Sequence, residues 1–319
     1  MSTTARDGAV ATCHRLLLVS RNDELDSLLA GRRIAAHAGD LHLTRATCPD
    51  DESGEPRPDV ALVCDDRDAA VRLLALGVQV VHLRSGHEPD GARADEAMAG
   101  ALRRVHVPGW LPGPRPTGRD IRTTGTLAPV RLSRARARSG TLLLLSLWGV
   151  PEDEATAFTD GPLRELVREA TRRTGRCDIV HDTAGPLVRA ALGPLTKPAT
   201  GTAVSVAVHR ADEVEVDALH AGAEVFLASP TLTALTLAQA RRSPLSLLPA
   251  LGAAQRDLAE RTRTAVSLPQ ATDPTAPELW APSQDPPASP WRALAATSDD
   301  LRGAQRVART LRQLSFAPL

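Results

Sequence analysis

The chain has 319 residues, about two domains' worth. Its 38 basic and 38 acidic side chains cancel, leaving no positive excess to draw nucleic acid or an anionic membrane. Aromatic residues make up 2%, with no tyrosine, which argues against base-stacking platforms.

Cys13, Cys48, Cys64 and Cys177 lack metal-ligand spacing, so no metal site is expected. They read as thiols of a reducing compartment. The polar start has no signal-peptide core, and no apolar run reaches the roughly 18 residues that span a bilayer. The expectation is a cytoplasmic protein without membrane or nucleic-acid partners.

The first half alternates strand and helix. Residues 16–20 (LLLVS) form an apolar strand, and 22–37 carry helical spacing through Leu25, Leu28, Leu29 and Ile34. Strands are expected at 41–46, 59–64 and 78–83, a polar loop at 50–58, and helices at 66–75 and 90–103. Residues 104–107 return to extended structure. Alternation of this kind implies parallel strands with crossover helices. The proline- and glycine-rich run at 108–116 reads as a surface connection or the start of a hinge, and the arginine-rich stretch 131–139 reads as a solvated linker.

The alternation then restarts. Strands are expected at 141–147, 177–181 and 203–208, a helix at 159–174, a further helix at 252–263 and a last short strand at 265–268. Residues 270–290 are irregular in composition, and 291–314 are amphipathic with a break near Ser298. The most informative stretch is 212–249. There an acidic helix (212–221) leads into a strand (224–228), then Ser229-Pro230-Thr231-Leu232-Thr233, a second helix and a strand (245–248). Serine at the cap and proline at the first helical position are helix-start signals. Hydroxyls and free amides thus sit at a positive helix end past the carboxyl edge of a strand, where α/β sheets hold phosphates. Capping alone also accounts for these residues. The architecture expected is α/β: two Rossmann-like βα domains facing a cleft.

Within that frame, residues 143–151 (LLLSLWGVP) and 217–249 resemble the donor half of GT-B glycosyltransferases. Among these the chain looks most like cytosylglucuronic acid synthases, which join glucuronic acid from UDP-glucuronate to cytosine in nucleoside antibiotic pathways. The resemblance implies an acceptor-type domain at 1–132, a linker at 133–140, and a nucleotide-sugar domain with a C-terminal helix at 141–319. It implies a UDP-linked donor held by Gly149, His209, Ser229, Thr231, Thr233 and Gln255. It further implies a small acceptor and no cofactor beyond the UDP-sugar co-substrate. His87 and Glu88 follow the 78–83 strand toward the expected cleft, where either would serve as the base for the attacking nitrogen.

Three departures set a second expectation. Residues 235–239 (LTLAQ) hold no acid where such sites place a ribose-binding glutamate. Thr231 stands where relatives often have glycine, and Arg21-Asn22-Asp23 replaces a glycine-rich loop. A non-catalysing relative that binds a nucleotide or a partner protein through the same cleft would carry these changes.

Overall fold

The computed structural model describes residues 14–45, 57–86, 98–116, 121–196, 205–280, 289–294 and 299–316. Two sheets form, and every described strand pair in them is parallel. The first contains β1 (Arg15–Ser20), β2 (His42–Arg45), β3 (Val60–Cys64), β4 (Gln79–Arg84), β5 (Leu102–Val105) and β6 (Ile121–Thr123), in the order β2-β1-β3-β4-β5-β6. The second contains β7 (Thr141–Leu145), β8 (Arg176–His181), β9 (Ser205–Arg210), β10 (Val225–Ala228) and β11 (Ser246–Leu247), in the order β11-β10-β7-β8-β9. The central strands β3 (VALVC) and β7 (TLLLL) are buried throughout, as continuous apolar runs must be when helices cover both sheet faces. The order reverses between β1 and β3 in one sheet and between β7 and β10 in the other, creating a crevice at each carboxyl edge.

Nine α-helices occur among the described residues: α1 (Leu25–Ala35), α2 (Arg67–Ala75), α3 (Glu152–Asp160), α4 (Pro162–Thr174), α5 (Gly185–Thr196), α6 (Val216–Gly222), α7 (Leu232–Arg241), α8 (Gly252–Ala265) and α9 (Gly303–Ser315). None is long and apolar enough to cross a membrane. The single helix expected at 159–174 is two, because Gly161-Pro162 stops α3 and starts α4. No strand forms at 265–268; α8 runs to Ala265, and only an isolated bridge joins Leu247 to Gln270. Most of the helix expected at 90–103 lies outside the described residues, and its last part is β5 instead.

The arginine-rich stretch is not a free tether. Its backbone runs beside the end of α6, where the Ala135 and Ser139 amides donate to the Ala221 and Gly222 carbonyls. Arg134 donates to the Ala223 carbonyl, so the run satisfies carbonyls a helix leaves open at its C-terminus. The terminal helix packs on the first sheet. α9 carries Ala304, Val307, Ala308 and Leu311 on one face, and they pack with Leu16, Leu18, Leu62 and Leu83 of the first sheet. Its entry is tight: a Cβ on Gly303 would lie 2.5 Å from the Thr126 carbonyl oxygen. The last helix therefore crosses back to complete the core of the N-terminal domain.

Candidate functional site

The carboxyl edge of the second sheet is built from the β7 turn and the start of α7. Thr231 caps α7, two residues later than expected, and its Oγ1 accepts from the Ala234 amide at 3.2 Å. The next amides, of Leu232 and Thr233, point out of the helix and suit an anion. An anion is there already. Asp26, in the first turn of α1, accepts from Leu232 N at 3.1 Å and from Thr233 N at 2.7 Å. Burial pushes the Asp26 carboxyl up to about 6, with the Thr233 side chain and both amides opposing the rise.

A second carboxylate fills the β7 turn. Asp182 accepts from Ser146 Oγ at 2.5 Å, Leu147 N at 3.0 Å and Thr183 N at 2.6 Å. Burial raises its pKa while these donors, and the Leu25 amide at the start of α1, oppose the rise. The two domains thus exchange carboxylates: Asp26 of the first serves α7, and Asp182 of the second faces the start of α1.

The surrounding interface is a core in its own right. Leu25, Leu28 and Leu29 of α1 share one apolar cluster with Leu232, Leu235, Trp110 and Trp291. Beside it, the buried Arg33 grips Asp217 with two bonds, Nη2 to Oδ1 at 2.7 Å and Nε to Oδ2 at 3.1 Å. Burial alone would raise the Asp217 pKa, but the charge and hydrogen bonds of Arg33 outweigh it and hold the carboxyl low. Arg32 donates to the carbonyls of Ala211 (2.9 Å), Val214 (2.8 Å) and Asp212 (2.5 Å).

The carboxyl edge of the first sheet is different: it is open. A cavity of about 620 Å³ is lined by Arg21, Asp65, Asp66, Arg67 and Arg210 among others. A neighbouring one of about 480 Å³ holds Leu18, Leu28, Arg32, Arg45 and Asp212, and the two share Ser20 and Asn22. Asp65 turns the chain here at φ 56° and accepts from the Ser85 amide at 2.7 Å and from the Ser85 hydroxyl. Arg21 stacks 4.9 Å from the ring centre of Trp148, linking this edge to the β7 turn.

A family model of the CGA synthase-related proteins matches residues 16–319. The chain belongs to this family. Among solved structures, the glycosyltransferase SnogD from Streptomyces nogalater is 17% identical with a TM-score of 0.55, covering 95% of this chain and 100% of SnogD. Spinosyn rhamnosyltransferase SpnG (17% identity, TM-score 0.46, 94% and 96% covered) and calicheamicin glycosyltransferase CalG4 (13%, 0.47, 96% and 100%) are also similar. No functionally curated protein matches the sequence. The fold is that of the GT-B glycosyltransferases.

In this CGA synthase-related chain, four of the six residues expected to hold a donor are buried and engaged internally. Ser229 Oγ accepts from Ser146 N at 3.0 Å, and Thr231 caps α7. Thr233 meets Asp26 through its amide. Gln255 accepts from Leu251 N at 3.1 Å and donates to the Ser146 carbonyl at 2.9 Å. Gly149 sits in the β7 turn at φ 68°, a conformation that favours glycine. His209 lies on the edge strand β9, 3.5 Å from Asp178, away from α7. Gln239 of α7 accepts from Thr126 Oγ1 at 3.1 Å. His87 and Glu88 lie outside the described residues. No metal-ligand cluster occurs among the described residues. Sequence reasoning missed Asp26 and Asp182. An acid in the first turn of a helix is ordinarily assigned to its own dipole, so nothing local marks Asp26 as a partner for another helix.

Proposed function

We propose that this chain is a glycosyltransferase-fold binding protein whose nucleotide-sugar edge is closed by its own carboxylates. Its ligand side is then the crevice of the first sheet. The observation that carries this reading is the Asp26 carboxylate on the Leu232 and Thr233 amides, where a donor phosphate would need to stand. To displace it, α1 must leave α7, uncovering Leu25, Leu28, Leu29, Leu232 and Leu235. At about 1.5–3 kcal/mol per buried side chain, exposing these five costs about 8–15 kcal/mol. A nucleotide present at a thousand times its Kd supplies about 4 kcal/mol, so a donor of ordinary affinity does not open the edge.

The second reading is transfer of glucuronate from UDP-glucuronate to cytosine or a similar small acceptor, metal-free and without a further cofactor. Family membership supports it. It requires the domains to part, freeing the α7 amides, and a base such as His87 or Glu88 to reach the acceptor.

Amide NMR with UDP and UDP-glucuronate separates the two. Under the first reading the Leu232 and Thr233 resonances do not move in the wild type, and they respond only once Asp26→Ala removes the carboxylate. A wild-type shift at those amides, or glucuronate transfer to cytosine, would establish the second.

A further inference from the structure

The 480 Å³ cavity at the end of β1 has a chemistry of its own. Its wall carries two guanidiniums, Arg32 and Arg45, against one carboxylate, Asp212. That carboxylate is already held by Arg210, Nη2 to Oδ2 at 2.9 Å. Arg32 spends its donors on three main-chain carbonyls, which satisfy its N–H groups but leave its charge in place. Glu215 and Asp217 lie close enough to offset part of that charge, and Asp217 is itself paired with Arg33. The Arg45 side chain makes no hydrogen bond or ion pair among the described residues. It nevertheless lines the same cavity as Arg32 and acts on it as a like charge. The side chains of Ser20 and Asn22, on the rim, likewise have no hydrogen-bond partner among the described residues. The buried Leu18 and Leu28 form an apolar floor.

We infer that this cavity binds the phosphate group of a small phosphorylated molecule, with Arg45 as the principal contact and Ser20 and Asn22 as further donors. Two like-charged guanidiniums held at one cavity call for an anion between them. Donors from three side chains suit the several terminal oxygens of a phosphate better than the two of a carboxylate. The volume falls in the range of small-ligand sites, so a body of about mononucleotide size fits beside the leucine floor. The inference rests on the reading of the second-sheet edge as closed, since an open α7 N-terminus would compete for the same anion.

Calorimetric titration with inorganic phosphate at constant ionic strength tests it, with acetate as the carboxylate comparison. The wild type is expected to bind phosphate, and Arg45→Gln to weaken binding about tenfold, the loss of one charge-assisted contact. Arg45 is exposed on an edge strand, so Arg45→Gln keeps the wild-type Tm. Arg138→Gln, on the exposed stretch beside α6, leaves affinity unchanged and excludes general charge attraction. Acetate bound as tightly as phosphate would overturn the phosphate assignment. No binding by the wild type overturns the site and leaves the closed-edge reading intact. Binding that survives Arg45→Gln but grows with Asp26→Ala would place the anion on the α7 amides and overturn both.

Discussion

The two carboxyl sheet edges have the same origin and opposite fates. Each lies at a reversal of strand order, the place where open α/β sheets hold ligands. At the second sheet the donors of the β7 turn and of α7 are consumed by Asp182 and Asp26. At the first sheet Ser20, Asn22 and Arg45 still face a cavity. The difference teaches that one fold can leave one of two equivalent sheet edges open while its own side chains fill the other. A carboxylate delivered by the neighbouring domain satisfies the same amides a phosphate would, and the apolar surface around it then welds the domains together.

Breaking the weld should have the largest effect. Asp217→Ala leaves Arg33 buried and unpaired, which should cost about 3–5 kcal/mol in urea unfolding. A loss under about 1 kcal/mol would mean that the domains are held by their apolar contacts alone.

The pH dependence of Asp26 comes next. Its carboxyl is raised from 3.8 to about 6 in the folded protein. The folded state therefore holds its proton more tightly than the unfolded chain. The stability this contributes is fully present below about 3.8 and is lost as pH rises through about 6. Asp26→Asn removes that dependence. The stability difference between wild type and Asp26→Asn should change by about 2 kcal/mol between pH 4 and pH 7. A flat difference would place the carboxylate in water and reopen the edge.

Smaller still, Thr231→Ala deletes the α7 cap and should cost about 1 kcal/mol, read as a lower Tm. A cap that the domain interface makes redundant would show no loss. On the open edge, Arg45→Gln should change stability by less than about 0.5 kcal/mol, because nothing in the fold leans on it. Equal sensitivity of the two edges would erase the comparison.

Much of the fold was legible in the chain. Strands at 16–20, 59–64, 78–83 and 177–181 appear where continuous apolar runs predict them. The turn from β10 into α7 was readable from Ser229-Pro230-Thr231, with the cap shifted to Thr231. Residues lacking a local signal were not readable. β6 is three residues long and mostly exposed, so it has no pattern to find. α9 announced its apolar face through Val307 and Leu311 but not the sheet it would cover. The sequence singled out Ser229 and Gln255; that both would turn inward on Ser146 was not readable from it.

The sequence by itself determined two βα domains, their carboxyl edges and the family, because periodicity and capping are local and survive in a single chain. Only the tertiary structure decided which edge stays open. That outcome depends on Asp26 reaching α7 across 206 positions of chain. It depends equally on α1 presenting Leu25, Leu28 and Leu29 to the other domain rather than to solvent. A carboxylate in a helix's first turn reads the same in sequence whether it faces water or another helix's amides; the packing of two domains chooses between them.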